Sequence, residues 1–556
     1  MRAALRKLFS RKTLGKDAVA GVVLGIEAVP DGLAAGVLAG INPLAGLYAY
    51  LFGMLGATLF TSSTFMAVQA TGAMALIVSD SDLQSSADPD RALFTLAILT
   101  GIVMVIAGLL GGGRLVRFVP TAVMTGFLTA VGVNIILGQL SNLTGYASEG
   151  ANRLVKLFDQ IAHVPQWSVA SLLVGVVVIG LILLFRLTSV GSFGLVIAVV
   201  VGSALAALLN LWIDPQVLLL NDIVDVPNGL PAPVLPNIVD VPFLLVPAIS
   251  LAFVGLIQGA AVSAGLPTPS GKPADTSRDF IGQGAGNIVA GVFQGMPVGG
   301  SMSGSSLIVA AGARTKLAFV TAGIVMAIVI LFAHDIVGYV AMPALAGLLI
   351  VVGATAIKPS RIYSVTKSGP LPTAIMVVTF ALTLVIPLQF AVLVGVGLGI
   401  ILFVAQQSNR VRVRQVHIHE SGRIRESDPP ATIPPGEVVI LQPYGSLFFA
   451  SAPVFEHQLP AVSRASRGAV VIIRLRGTDQ IGLSLLDVLR RYAHDLRDAD
   501  SSLKLVISEQ RVLDLVEASG LADDLGAENV YRSNEWVGET VRRAYADARD
   551  DLAARD

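Results

Sequence analysis

From Asp17 to about Ala405 the chain carries apolar runs of membrane length almost without interruption, which excludes most folds open to a soluble protein. A hydrocarbon core of about 30 Å takes roughly 20 apolar residues per helix. Backbone polar groups in that layer must be satisfied within the chain, as they are in a helix. A mean hydropathy of +0.75 and a charged fraction of 14% agree with this reading. The remainder, from Arg410 to Asp556, is charged and reads as soluble. No cysteine occurs in the 556 residues, so disulfides and thiolate metal sites are excluded.

Lys and Arg collect on the cytoplasmic side of membrane proteins, and here their placement alternates. Arg2, Arg6, Lys7, Arg11, Lys12 and Lys16 fill a first stretch with no acid. Arg114 and Arg117, then Arg186, Lys272 and Arg278, Arg314 and Lys316, Lys358, Arg361 and Lys367, and finally Arg410, Arg412 and Arg414 fall at successive inside positions. The loops between are acidic or mixed: Asp80, Asp82, Asp88 and Asp90 crowd one, and no Lys or Arg occurs from Leu187 to Gly271. Residues 1–16 are followed by no convincing small-residue cleavage site and are expected to be a retained, basic cytoplasmic N-terminus. With both ends inside, the crossings are even in number. The runs accommodate fourteen, at residues 17–36, 42–60, 66–79, 91–111, 118–139, 168–186, 191–212, 243–265, 277–293, 298–312, 315–334, 337–356, 371–386 and 388–407.

Two of these are too short to cross as helices. FMAVQATGAMALIV (65–78) and GMPVGGSMSGSSLIV (295–309) both begin extended and pass through small residues. They finish in matching tetrapeptides, Ala75 to Val78 and Ser306 to Val309, about 231 residues apart. Paired, Gly-interrupted segments in corresponding halves point to an inverted-repeat transporter with its site near the midplane. Irregular backbone at that depth has to be buried in protein or line a wet cavity. The alternative is that the small residues serve only close helix packing.

AVPDGLAAGVLAGINPLAGLYAYLFG (28–53), QATGAMALIV (69–78), FVPTAVMTGFLTAVGVNIILGQL (118–140), GQGAGNIVAGVFQGMPVGGSMSGSS (282–306), AAGARTKLA (310–318) and MPALAGLLIV (342–351) resemble, in the same order, the SulP family of sulfate permeases and anion exchangers, to which prestin and pendrin belong. The resemblance implies an all-α polytopic membrane domain built as a seven-plus-seven inverted repeat like that of the uracil transporter. In it a core domain (segments 1–4 and 8–11) moves against a gate domain (segments 5–7 and 12–14). It also implies a homodimer and a cytoplasmic STAS domain.

The tail carries its own signal. EVVILQPYGSLFFAS (437–451) reads as strand and hairpin, GAVVIIRLRG (468–477) as a buried strand, LSLLDVLRRYAHDLRDA (483–499) as an amphipathic helix, and LKLVIS (503–508) as a further strand before RVLDLVEASGL (511–521). Strands alternating with helices argue for a small α/β layer domain. The expected domains are a basic N-terminus (1–16), a transport domain (17–408), a linker (409–435) and a STAS domain (436–556). In related anti-sigma antagonists a serine in the turn matching GTDQIGLS (477–484) is phosphorylated. Here that position holds Ile481, with Ser484 as the substitute and a purely structural domain as the alternative.

If both short segments run as an extended half followed by a helix, inverted topology brings two helix N-termini to the midplane. Each presents unpaired N–H groups and about half a positive charge, which makes an anion pocket without Lys or Arg. Gly72, Gly299, Gly300 and Gly304 let the backbone approach a ligand; Thr71, Ser301, Ser303 and Ser305 offer hydroxyl donors; Gln69 and Gln258 complete the expected substrate-binding set. Many relatives have Arg where this chain has Gly304 and an acid where it has Gln258, so both members of a charged pair are absent together. Asp31 follows Pro30 at a position that is often Gln, and Glu27, four residues earlier, shares its helix face. An intramembrane carboxylate is a functional candidate: Asp31, with Glu27, is expected to take up a proton as an anion binds. The alternative is that Pro30 breaks the helix and a carboxylate caps the freed N–H groups.

The expected function is therefore elevator-like secondary transport of a small inorganic or carboxylate anion, sulfate-type and proton-coupled, in the cell membrane with both termini cytoplasmic. Uncoupled channel or exchanger activity, a signalling scaffold on an inert anchor, and nucleobase transport are the competing readings; the last lacks its acid in the eighth segment. No enzyme constellation, metal, cofactor or nucleic-acid partner is expected. His163, His334, His417, His419, His457 and His494 are dispersed, and the close pair His417 and His419 reads as solvated. A cytoplasmic partner at the STAS domain is the remaining expectation.

Overall fold

Proline removes one backbone donor and leaves the carbonyl four residues earlier without its partner, yet Pro30 ends nothing: in the computed structural model α1 runs from Arg11 through to Leu38. The reading in which Pro30 breaks the helix is corrected. One lost bond costs less than releasing a whole turn of backbone into lipid. The next apolar segment is α2 (Pro43–Tyr48), a π-helical turn (Ala49–Gly53) and α3 (Met54–Thr58). A Cβ at Gly46 would lie 2.0 Å from the Gly32 carbonyl oxygen, so the two segments meet backbone to backbone.

The structure describes residues 11–113, 119–150, 152–188, 193–212, 216–266, 274–419, 423–475, 481–533 and 539–553. Arg2, Arg6, Lys7, Arg114, Arg117 and Lys272 lie outside them. The chain divides into two units, residues 1–399 and 400–556. In the first, α3 is followed by β1 (Ala67–Gln69), α4 (Gly72–Ser79), α5 (Pro89–Leu109), α6 (Thr121–Gly138), α7 (Arg153–Ala162), α8 (Val169–Arg186) and α9 (Phe193–Leu209). Then come α10 (Val241–Gly265), α11 (Thr276–Val292), β2 (Gly299–Ser301), α12 (Met302–Ala310), α13 (Leu317–Phe332), α14 (Met342–Ala356), α15 (Pro370–Val385) and the start of α16 (Leu388–Ser408), which continues past residue 399. Each of the fourteen expected segments falls on helix or, in the two short cases, on a strand and then a helix. Among the described residues six helices are long and apolar enough to cross a bilayer.

The helices pack in two sets. In one, α1 lies against α2 and α13, and α5 against α10 and α11; in the other, α6 lies against α14 and α15, and α8 against α9 and α14. The sets meet where α1 touches α9 and α14 and where α4 touches α6. Polar braces run across the first set. Asp17 accepts the N–H groups of Arg314 and Thr315 at 2.6 and 2.9 Å and the Thr315 hydroxyl at 2.7 Å. Asp279 accepts the N–H groups of Ser62 and Ser63 at 2.6 and 2.8 Å, together with the hydroxyls of Ser62, Ser63 and Ser263. Lys316 donates to the carbonyls of Thr58 and Thr61. Charges satisfied this fully, the two aspartates buried and Lys316 half-buried, tie segments together.

In the second unit, β3 (Arg412–Ile418), β4 (Ile424–Ser427), β5 (Val438–Tyr444), β6 (Val470–Leu475), β7 (Ser502–Ile507) and β8 (Val530–Arg532) form one six-stranded sheet in the order β4-β3-β5-β6-β7-β8. Strands β5 to β8 are parallel, and β3 is antiparallel to both its neighbours. Odd and even residues of β6 serve two cores. Val471 and Ile473 pack with α17 (Ala452–Gln458), α18 (Leu483–Asp498) and α19 (Gln510–Ala518), and Val470 and Ile472 with α20 (Glu539–Ala553).

Two expectations change here. Residues 437–451 hold one strand and no hairpin: Gly445 turns the chain at φ 104°, and the Ser451 hydroxyl donates to the Ser446 and Phe448 carbonyls before α17 begins. The hairpin is β3–β4, inside the stretch 409–435 read as linker, where Val411, Val413 and Val416 are buried between exposed or half-buried charges. Ile481 is buried in the core and Ser484 is exposed on the first turn of α18, whereas residues 477–480 lie outside the described ones.

Candidate functional site

Strands β1 and β2 pair antiparallel, Ala67 opposite Ser301, Val68 opposite Gly300 and Gln69 opposite Gly299. Pro297, Gly299, Gly300 and Ser301 disfavour helix around β2, and a capping hydroxyl restarts helix after each strand. The Thr71 hydroxyl oxygen accepts the Met74 N–H at 3.4 Å and that of Ser301 accepts the Gly304 N–H at 3.2 Å. Helix α4 thus leaves one end of the ladder and α12 the other, the strand-then-helix form expected of both segments.

The expected residues divide between lining and support. Thr71 donates to Gln258 Oε1 on α10 at 3.0 Å, and a Cβ at Gly299 would lie 3.0 Å from the same oxygen, so these three come together. Ser301 and Ser303 hydroxyls lie 3.0 Å apart, with Ser303 exposed. Gly300 is buried and gives its N–H to Gln283 Oε1 at 2.9 Å. Ser305 is wholly buried and accepts the Ala67 N–H at 2.8 Å, bracing β1. Gly72 packs toward Ile135 of α6, whose Cδ1 would be 2.5 Å from an added Cβ. Gln69 is only 1% exposed, and neither its Nε2 nor its Oε1 has a partner among the described residues. Gly304 lies against it: a Cβ there would sit 2.2 Å from Gln69 Oε1.

Sequence reasoning missed Gln283 and Asn287. Asn287 accepts the Val298 N–H at 2.9 Å and donates to the Val298 carbonyl at 2.7 Å, standing in for a strand partner at the entry to β2. The available signal was two carboxamides four residues apart, hence on one face of α11.

The carboxylates sit on α1, which packs against both α4 and α12. Tyr50, on the π turn, donates to Asp31 Oδ2 at 2.6 Å. Glu27 is 5% exposed, and its Oε2 has no partner among the described residues. Single π turns are frequent at functional sites.

A polytopic helical unit in which two capped short helices grow from one buried ladder, with a separate α/β unit after it, defines a membrane transporter built on broken segments. The chain belongs to the sulfate permease family, which its residues 14–379 match, and residues 429–542 match the STAS domain. It is 31% identical over 408 residues to the putative sulfate transporter YbaR of Bacillus subtilis (strain 168), covering 71% of this chain and 77% of that one. It is 28% identical over 404 residues to the bicarbonate transporter BicA of Picosynechococcus, covering 71% and 70%. The structure of the murine Slc26a9 anion transporter in the inward-facing state matches 98% of this chain and 93% of that one with a TM-score of 0.85 at 19% identity, a likeness of fold. The protein is thus a multi-pass membrane anion transporter, and its family is one of transporters rather than enzymes.

Proposed function

We propose that the chain is a secondary active transporter of small oxyanions or carboxylates, with the ladder and the heads of α4 and α12 as its binding cradle. One observation carries this reading: the buried carboxamide of Gln69, without a partner among the described residues, beside Gly304. Leaving such a group unbonded costs on the order of 1–3 kcal/mol. An anion accepting from Gln69 Nε2, from helix-head N–H groups and from the free hydroxyl of the Ser301–Ser303 pair would relieve it, with Thr71, whose own proton goes to Gln258, as a wall of the cradle. Gly299, Gly300 and Gly304 leave room for close approach, Gln258 orients Thr71, and Ser305 supports β1. Similarity to proteins named for sulfate and bicarbonate supports the anion class.

The braced first set is the moving core, and the second set is the gate. Motion of one against the other within a homodimer, both termini cytoplasmic and the protein in the cell membrane, completes the reading. Protons are coupled through Asp31 and Glu27: Tyr50 occupies Asp31, and the Glu27 oxygen, without a partner among the described residues, is the freer proton acceptor of the two.

The test is uptake of radiolabelled sulfate, bicarbonate and formate into proteoliposomes with and without an inward proton gradient. The gradient is expected to raise wild-type uptake, and Asp31→Asn and Glu27→Gln to lose that stimulation while still equilibrating the anion. Wild-type uptake indifferent to the gradient removes the coupling and leaves an uncoupled exchanger or channel; failure to take up any of the three rejects this substrate class.

A further inference from the structure

We infer that Asp80 and Arg153 form a latch that closes the transport path on the side read as external and opens in every transport cycle; this rests on the reading that the core set moves against the gate set. Asp80 caps the C-terminal end of α4. The helix is eight residues long, so the latch lies about 12 Å from the cradle at its head. The Asp80 carboxylate takes Arg153 Nη2 on Oδ1 at 2.8 Å and Nη1 on Oδ2 at 3.4 Å, and Oδ2 also accepts the N–H of Leu388 at 2.8 Å. Arg153 opens α7 and Leu388 opens α16. One carboxylate on a core segment therefore ties down two separate gate elements.

The rest of that boundary is of a different kind. Among the described residues this is the only ion pair joining the two sets, whereas the braces on Asp17, Asp279 and Lys316 all stay within the core. The paired side chains are only 19% and 14% exposed. A two-pronged Arg–carboxylate contact shielded to that degree is strong and directional. It separates only if both charges reach water together, because one left behind unpaired and desolvated is costly. Such a contact makes the closed arrangement a discrete state. Any shift of α4 along its axis when an anion settles at its head acts directly on Asp80.

The lack of cysteine makes the test clean. Asp80→Cys combined with Arg153→Cys places the chain's only two thiols across the boundary, where a short bifunctional methanethiosulfonate bridges them and reductant releases the bridge. In proteoliposomes of the full-length protein, bridging is expected to cut uptake of radiolabelled sulfate or bicarbonate by about tenfold or more, with recovery on reduction. Uptake unchanged by bridging overturns the latch. A second pair, Leu38→Cys with Gly138→Cys, probes the motion itself, since a Cβ at Gly138 would lie 3.5 Å from Leu38 Cδ1. Block at that pair with free uptake at the first rejects the latch alone; free uptake at both rejects the core-against-gate motion as well. Without any bridge, Asp80→Asn and Arg153→Gln are each expected to change the initial rate by about fivefold, and the double variant no further. Independent, multiplying effects would show that the two side chains share no functional contact.

Discussion

Gly304→Ala is expected to weaken anion binding and uptake by about tenfold, and Gly304→Arg to do more and to alter selectivity. A methyl group at 304 would lie 2.2 Å from Gln69 Oε1 and 3.1 Å from the Ala67 Cβ. The turn is pinned by the Ser301 cap, so the Gln69 carboxamide has to give way. Overpacking of this kind costs on the order of 1–3 kcal/mol, or roughly five- to a hundredfold in affinity if it falls on the bound state. Alanine is the better helix former, so a weaker α12 cannot explain a loss. Arginine adds a fixed charge, and the affinity it gives is expected to fall steeply with ionic strength. Titration calorimetry with sulfate at two salt concentrations, beside a thermal-stability scan, separates the cases. Affinity and selectivity untouched in both variants would sink the backbone cradle.

Asn287→Leu is expected to abolish uptake and to lower the thermal midpoint markedly. It removes both bonds to Val298, leaving a buried N–H and a buried carbonyl unpaired. At about 1–3 kcal/mol each, their loss takes a large share of the stability a folded unit of this kind can spare. Gln283→Leu orphans the Gly300 N–H and is expected to have the smaller effect. An unshifted midpoint with normal uptake in Asn287→Leu would mean that β2 holds its register without this side chain.

The apolar runs and the alternation of basic loops carry the architecture, because membrane thickness fixes segment length whatever the packing. The second broken segment is legible for a related reason, since Pro297, Gly299, Gly300 and Gly304 are poor helix formers in surroundings that otherwise favour helix; the first is legible through its length and its likeness to the second at Ala75 to Val78. Partners are a different matter. Ser305 reads as one more hydroxyl, and its role comes from Ala67, 238 positions away in the chain. The π turn under Tyr50 lies in a run whose composition reads as plain helix. The β3–β4 hairpin hid behind its arginines, since charge density masks the alternation of Val411 and Val413. Pro30 misled in the opposite direction, because in lipid a helix survives the loss of one bond.

In the proposed cradle the positive polarity at the heads of α4 and α12 comes from main-chain N–H groups, and residues 69–75 and 299–306 contain no Lys or Arg. A polarity of this origin is written in no single codon. Exchange of any residue there leaves its amide in place, proline excepted. If the cradle is the seat proposed, inheritable change can redraw its contour, and with it which anion fits, more easily than it can remove the main-chain polarity.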